Sequence, residues 1–175
     1  MRTVVVASTI ACTFAATLVV GCAHSGVFVG GRFEDAHVSY QVGAPGKSWV
    51  QVHQPKANVA WYSADFDAVL LANSSCEGVG DSSLESFTND LLIGTTEREI
   101  ISQNRDMLAG REILETLSVA KVDGVARQMK ILVLKKDGCV YELVLAAPVA
   151  NFLAAEQDGY APVRAGFDVA ARRDR

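Results

Sequence analysis

Residues 111–147 read REILETLSVAKVDGVARQMKILVLKKDGCVYELVLAA. Two Asp-Gly pairs, Asp123-Gly124 and Asp137-Gly138, punctuate this stretch. Asp-Gly accepts the positive φ that a tight hairpin needs, so each pair marks a reversal between extended segments. Three strands follow from this: Glu112–Val122, Val125–Leu134 and Cys139–Ala146. They are consecutive and joined by tight turns, which makes an antiparallel meander, and the rest of the chain has to pack around it.

Upstream, Glu97–Met107 also reads as a strand, and Val38-Ser39-Tyr40-Gln41-Val42 alternates apolar with polar as a half-buried strand does. Trp49–Val52 is a further short strand. Asn58–Ser63 and Ala68–Asn73 flank a turn at Asp65-Phe66-Asp67; the second run is continuously apolar, belongs inside the sheet, and carries Cys76 just past its end. Ser82-Ser83-Leu84-Glu85 has the spacing of a capping box with Ser82 as cap. Leu84, Phe87, Leu91 and Leu92 then share one helical face, and Gly94 supplies a left-handed stop. Pro148 suits the first turn of a second helical region through Phe152, Tyr160, Val163 and Phe167, interrupted near Gly159 and Pro162. The expected class is α+β: an antiparallel sheet covered by two helices.

The composition agrees with one domain plus an apolar appendage. Of 175 residues, 50% are hydrophobic and 21% charged, which excludes a disordered chain. A net charge of −4 gives no basic face for nucleic acid. The excess hydrophobicity sits at Met1–Cys22, MRTVVVASTIACTFAATLVVGC, where Arg2 is followed by an uncharged run to Val20. A basic start, an apolar run and small residues at the end have the layout of an export signal.

Leu18-Val19-Val20-Gly21-Cys22 resembles the lipobox of bacterial lipoproteins. The resemblance implies cleavage between Gly21 and Cys22, thioether diacylglycerol on the Cys22 sulfur, and acylation of the new amino terminus. An ordinary signal peptide and an uncleaved apolar anchor are the alternatives. Ala23 follows the cysteine, where Asp commonly signals inner-membrane retention, so an outer-membrane destination facing the periplasm is expected. The chain then divides into a signal at 1–21, a lipidated tether at 22–36 that includes the glycine-containing HSGVFVGGR, a domain at 37–168 and a frayed tail at 169–175.

Cys12 leaves with the signal and Cys22 takes the lipid. Cys76 and Cys139 remain as an even pair in an exported chain, for which a disulfide is the natural reading. Two buried thiols or a redox pair are the alternatives; there is no C-x-x-C, and no His or Lys adjoins either cysteine to lower its pKa. His24, His37 and His53 have no metal-ligand spacing. Ser74, His53 and Asp65 make an arbitrary triad without a nucleophile elbow. Gly26, Gly30 and Gly31 form no nucleotide-binding fingerprint, and Gly78–Asp81 lacks the P-loop lysine. Trp49, Trp61 and Phe66 are candidates for lining an apolar ligand pocket, against the plainer expectation that aromatics on strands fill the core.

The chain from about 37 to 167 resembles a group of lipoproteins common in delta-proteobacteria. The residues that carry the resemblance are Tyr40–Val42 with Trp49, Asn73-Ser74-Ser75-Cys76, Ser83-Leu84 to Leu91-Leu92-Ile93-Gly94, Gly110-Arg111-Glu112-Ile113, Asp123-Gly124 and Cys139-Val140-Tyr141-Glu142-Leu143. The element order is similar to the PsbP-like fold, an α/β/α sandwich with helices on both faces of the sheet. These resemblances bring no catalytic signature. They imply a non-enzymatic accessory or binding subunit, held to the membrane by its lipid, with an envelope protein complex as partner and no cofactor beyond the covalent lipids. A carrier of a small apolar ligand or lipid, held between sheet and helix, is the alternative reading, and an envelope hydrolase a third.

Overall fold

The meander is present with both Asp-Gly turns in the left-handed region: Asp123 and Gly124 have φ of 49° and 81°, Asp137 and Gly138 of 54° and 77°. Ala109-Gly110, at 49° and 74°, repeats the device one hairpin earlier. Paired positive φ values match the right-handed twist of the strands they join, which is why two-residue loops suffice. A computed structural model describes residues 26–170. The expected lipid site at Gly21 and Cys22, together with Cys12, Ala23, His24 and residues 171–175, lies outside the described residues.

Eleven strands are described. Four form a small sheet: β1 (Val27–Val29), β2 (Arg32–Glu34), β3 (Ser39–Gln41) and β11 (Asp168–Val169), ordered β1-β2-β3-β11. The other seven are β4 (Val50–Val52), β5 (Val59–Ser63), β6 (Ala68–Ser75), β7 (Thr96–Leu108), β8 (Arg111–Val122), β9 (Val125–Lys136) and β10 (Cys139–Ala147). They form one antiparallel sheet in the order β4-β5-β6-β10-β9-β8-β7. β10 is its central strand. Helix α1 spans Leu84–Leu91; α2 (Phe152–Ala155), a π-helical turn (Glu156–Tyr160) and α3 (Ala161–Ala165) run on without a break.

Alternation along the central strands divides the core in two. On β10, Cys139, Tyr141, Leu143, Leu145 and Ala147 point to one side with Leu132, Leu134, Phe152, Tyr160 and Val163. Val140 and Val144 point to the other side with Ile131, Val133, Leu114, Leu84 and Leu92. The C-terminal helical segment and the small sheet cover the first face, and α1 covers the second. The result is the expected α+β sandwich with helices on both faces.

Four expectations need correction. The segment 22–36 is not tether throughout: β1 and β2 form a hairpin from Val27 to Glu34 whose two-residue loop, Gly30-Gly31, has φ of 59° and 81°. The domain also extends past 168, because Val169 pairs with Tyr40 and is buried. The cap of α1 is Ser83 rather than Ser82: its Oγ accepts from the Ser86 N–H at 3.2 Å. Leu84, Phe87, Leu91 and Leu92 do share the face of α1 that packs on the sheet, joined by the buried Thr88, whose hydroxyl donates to the Leu84 carbonyl at 2.9 Å. Finally, Pro148 starts a turn that precedes α2, and Gly159 and Pro162 do not interrupt the second helical region. Gly159 falls in the π-helical turn, and Pro162 is the second residue of α3.

Candidate functional site

Cys76 and Cys139 are disulfide-bonded. Register places them together: Ser75 faces Val140 across β6 and β10, so the residues just beyond that pair meet at the end of the ladder. The bridge closes a loop of 63 residues and ties the start of the central strand β10 to the end of its neighbour β6.

Trp49 and Phe66 come together, with ring centroids 6.1 Å apart, whereas Trp61 packs edge-on against Phe28 of the N-terminal hairpin at 5.7 Å. All three belong to the main core, and both tryptophans are buried in it. Gly159 lies so close to Trp49 that a Cβ there would stand 2.3 Å from Cζ2. Both indole rings are therefore enclosed by protein. A cleft of about 260 Å³ lies elsewhere, at the exposed β4–β5 hairpin, lined by Gln51, Val52, His53, Gln54, Ala57 and Asn58 among others.

Ser74 is buried, and its hydroxyl donates to Asn58 Oδ1 at 2.7 Å; Tyr40 donates its phenol to the same oxygen at 3.1 Å. An amide oxygen cannot take the hydroxyl proton, so this pair lacks the base that a serine nucleophile needs. Burial, with the neighbouring Tyr141 and Asp35, pushes the Tyr40 phenol far above its ordinary pKa and keeps it a neutral donor. His37 and His53 are exposed. Among the described residues, no three His, Cys, Asp or Glu side chains gather as a metal site. Among the same residues, no helix is long and apolar enough to cross a membrane.

The most developed polar constellation was not anticipated. Glu115 of β8 faces the C-terminal helical segment, where its Oε1 accepts from Tyr160 Oη at 2.6 Å and from Arg164 Nε at 2.9 Å. Arg164 also reaches Asp106 at 3.0 Å, while Lys130 pairs with Glu156 and lies over the Tyr160 ring, 5.4 Å from its centroid. Burial, followed by the charge of Glu115, raises the Tyr160 pKa well above its ordinary value. Every group in this network is matched, which gives it the character of a helix-to-sheet lock. The sequence signal for it was Glu115 at an inward position between Ile113 and Leu117. A second half-buried carboxyl, Glu142 on the α1 face, accepts from Asn73 Nδ2 at 3.2 Å. Burial raises its pKa; the Asn73 bond opposes the rise and Asp90 adds to it.

The N-terminal hairpin has two unlike faces. Phe28 and Phe33 point inward, and Gly26 lies against the Phe33 ring so closely that a Cβ would stand 2.0 Å from Cζ. Val27 and Val29 point outward on the edge strand and are 62% and 72% exposed.

No family model matches the chain, and no curated protein matches it. Among solved structures, it is similar to LpqN of Mycobacterium tuberculosis, described as involved in cell envelope biogenesis. The TM-score is 0.59 at 12% identity, over 84% of this chain and 90% of that one. It is also similar to cyanobacterial PsbP (CyanoP) from Synechocystis sp. PCC 6803, with a TM-score of 0.52 at 17% identity, over 86% of this chain and 95% of that one. At these identities the likeness concerns the fold, which is PsbP-like as expected.

Proposed function

We propose that the protein is a lipid-anchored, non-enzymatic accessory or binding domain of the bacterial cell envelope, acylated at Cys22 and held at the outer membrane facing the periplasm. The observation that carries this reading is the Cys76–Cys139 disulfide: such a bridge persists in oxidising compartments and is rare in the cytosol. The lipobox-like Leu18–Cys22 supplies the anchor, and Ala23 favours the outer membrane. Two or more acyl chains hold a protein at a bilayer where one does not. The accessory role is supported by the chemistry of the interior, where Ser74, Tyr160, Glu115 and Arg164 are spent on one another and on Asn58. LpqN, which shares the fold, is described as involved in envelope biogenesis. The group of delta-proteobacterial lipoproteins is the reading's natural setting, with a partner in an envelope protein complex.

Metabolic labelling with an alkynyl fatty acid tests the anchor. The native chain is expected to incorporate label and to lose its first 21 residues. Cys22→Ala is expected to accumulate as unlabelled precursor. Normal processing of that variant would overturn the reading.

A further inference from the structure

We infer that the outward face of the β1–β2 hairpin, which carries Val27 and Val29, is a membrane-contact surface that seats the domain on the bilayer carrying its anchor. The inference rests on the lipoprotein reading and deepens it. Cys22 and Gly26 are separated by four residue steps, a reach of at most about 14 Å even when fully extended. Gly26 is already fixed against the Phe33 ring. A domain of this size has a radius of gyration of about 15 Å, so the leash is no longer than the domain's own radius. The N-terminal end of the fold therefore stays beside the lipid headgroups.

The hairpin held there has the chemistry of an interfacial contact. Val27 and Val29 are among the most exposed large apolar residues described, and both lie on an edge strand. On the same outward face Arg32 sits directly across from Val29, where it can meet lipid phosphates, and Glu34 sits across from Val27, so the contact is centred on the Val29–Arg32 end of the hairpin. Phe28, between the two valines, is turned inward onto Trp61, so the contact is tied to the rigid core and sets the domain's orientation. A soluble partner could also cover two valines, but the leash places the bilayer there without any further association step.

The test uses the full lipidated chain, purified and reconstituted into vesicles of phosphatidylethanolamine and phosphatidylglycerol. A diazirine amino acid replaces Val29 in one sample and Ile93 in another. Ile93 is a matched control: it is 73% exposed against 72% for Val29, but it follows α1, on the side of the large sheet away from the small one. Lipid adducts at position 29 are expected to exceed those at position 93 severalfold. Equal yields at the two positions, or a crosslink from position 29 to a second copy in place of lipid, would overturn the inference. The mass of the N-terminal fragment is read in the same samples. An acylated chain with equal yields removes the hairpin contact alone, whereas an unacylated chain removes the anchor reading and the contact with it.

Discussion

Gly159→Ala sets two effects against each other. In an ordinary helix interior, alanine is better than glycine by about 1 kcal/mol, so the substitution would stabilise. Here the new Cβ would stand 2.3 Å from Trp49 Cζ2, 2.5 Å from Cε2 and 2.9 Å from Nε1. Favourable carbon contacts lie at about 3.5–4.0 Å, so ring or helix must move by roughly an ångström or more. Neither moves freely. Trp49 is only 7% exposed and rests against Phe66, and the helical turn is bound to β8 and β9 through Tyr160–Glu115 and Lys130–Glu156. Overpacking of this kind costs about 1–3 kcal/mol, which outweighs the helical gain. The net expectation is a destabilisation of up to about 2 kcal/mol, or a Tm lowered by up to about 6 °C for a chain of this length. Urea unfolding followed by tryptophan fluorescence, with the disulfide intact, measures it; the midpoint should fall with the slope unchanged. Trp49→Leu destabilises by itself, but in that background Gly159→Ala should lose its penalty because the methyl now has room. A stabilised single variant, or a penalty unchanged by Trp49→Leu, would refute the packing argument.

Replacing Cys76 and Cys139 together by alanine opens a 63-residue loop; chain entropy puts the loss at about 4 kcal/mol, to be read from urea midpoints of the native and double-variant proteins. Tyr160→Phe removes the phenol that donates to Glu115 and leaves a largely buried carboxylate one hydrogen bond short, for a loss of about 2 kcal/mol in the same assay. Burial raises the pKa of Glu142, so the folded state holds this proton more tightly than the unfolded chain does. Stability from this group is therefore fully present below the ordinary glutamate range and is lost as pH rises through that range toward the raised folded value. Glu142→Gln should be more stable than the native protein at neutral pH, with the difference shrinking in acid; a constant difference across a pH series of thermal melts would count against burial as the cause.

The sheet was legible because hairpin chemistry is local. Asp123-Gly124 and Asp137-Gly138 specify positive φ within two residues, and the strands on either side alternate with period two; no distant contact is needed to read them. The same rule was present at Val27-Phe28-Val29-Gly30-Gly31-Arg32-Phe33-Glu34. There the strands have three residues each, too few for alternation to stand out beside glycines that also suit a tether. The α1 cap moved from Ser82 to Ser83 because both serines precede Leu84 and the helix begins at the leucine, making Ser83 the residue whose oxygen reaches the Ser86 N–H. The partner of Ser74 was not legible, because Asn58, just before β5, comes beside it only when β5 pairs with β6.

The sequence by itself determined the meander, the α+β class and the presence of helix α1, because each depends on backbone preferences within a short window, whereas the bond between Cys76 and Cys139, 63 residues apart, needed the register of β6 on β10. Only the tertiary structure decided what the side chains do. It sank Trp49 and Trp61 into the core, matched Glu115 with Tyr160 and Arg164 across 45 and 49 residues, and turned Val27 and Val29 outward on an edge strand. Those outcomes depend on which faces are covered, and long-range packing settles that: the C-terminal helical segment and the small sheet take one side of the large sheet, and α1 takes the other.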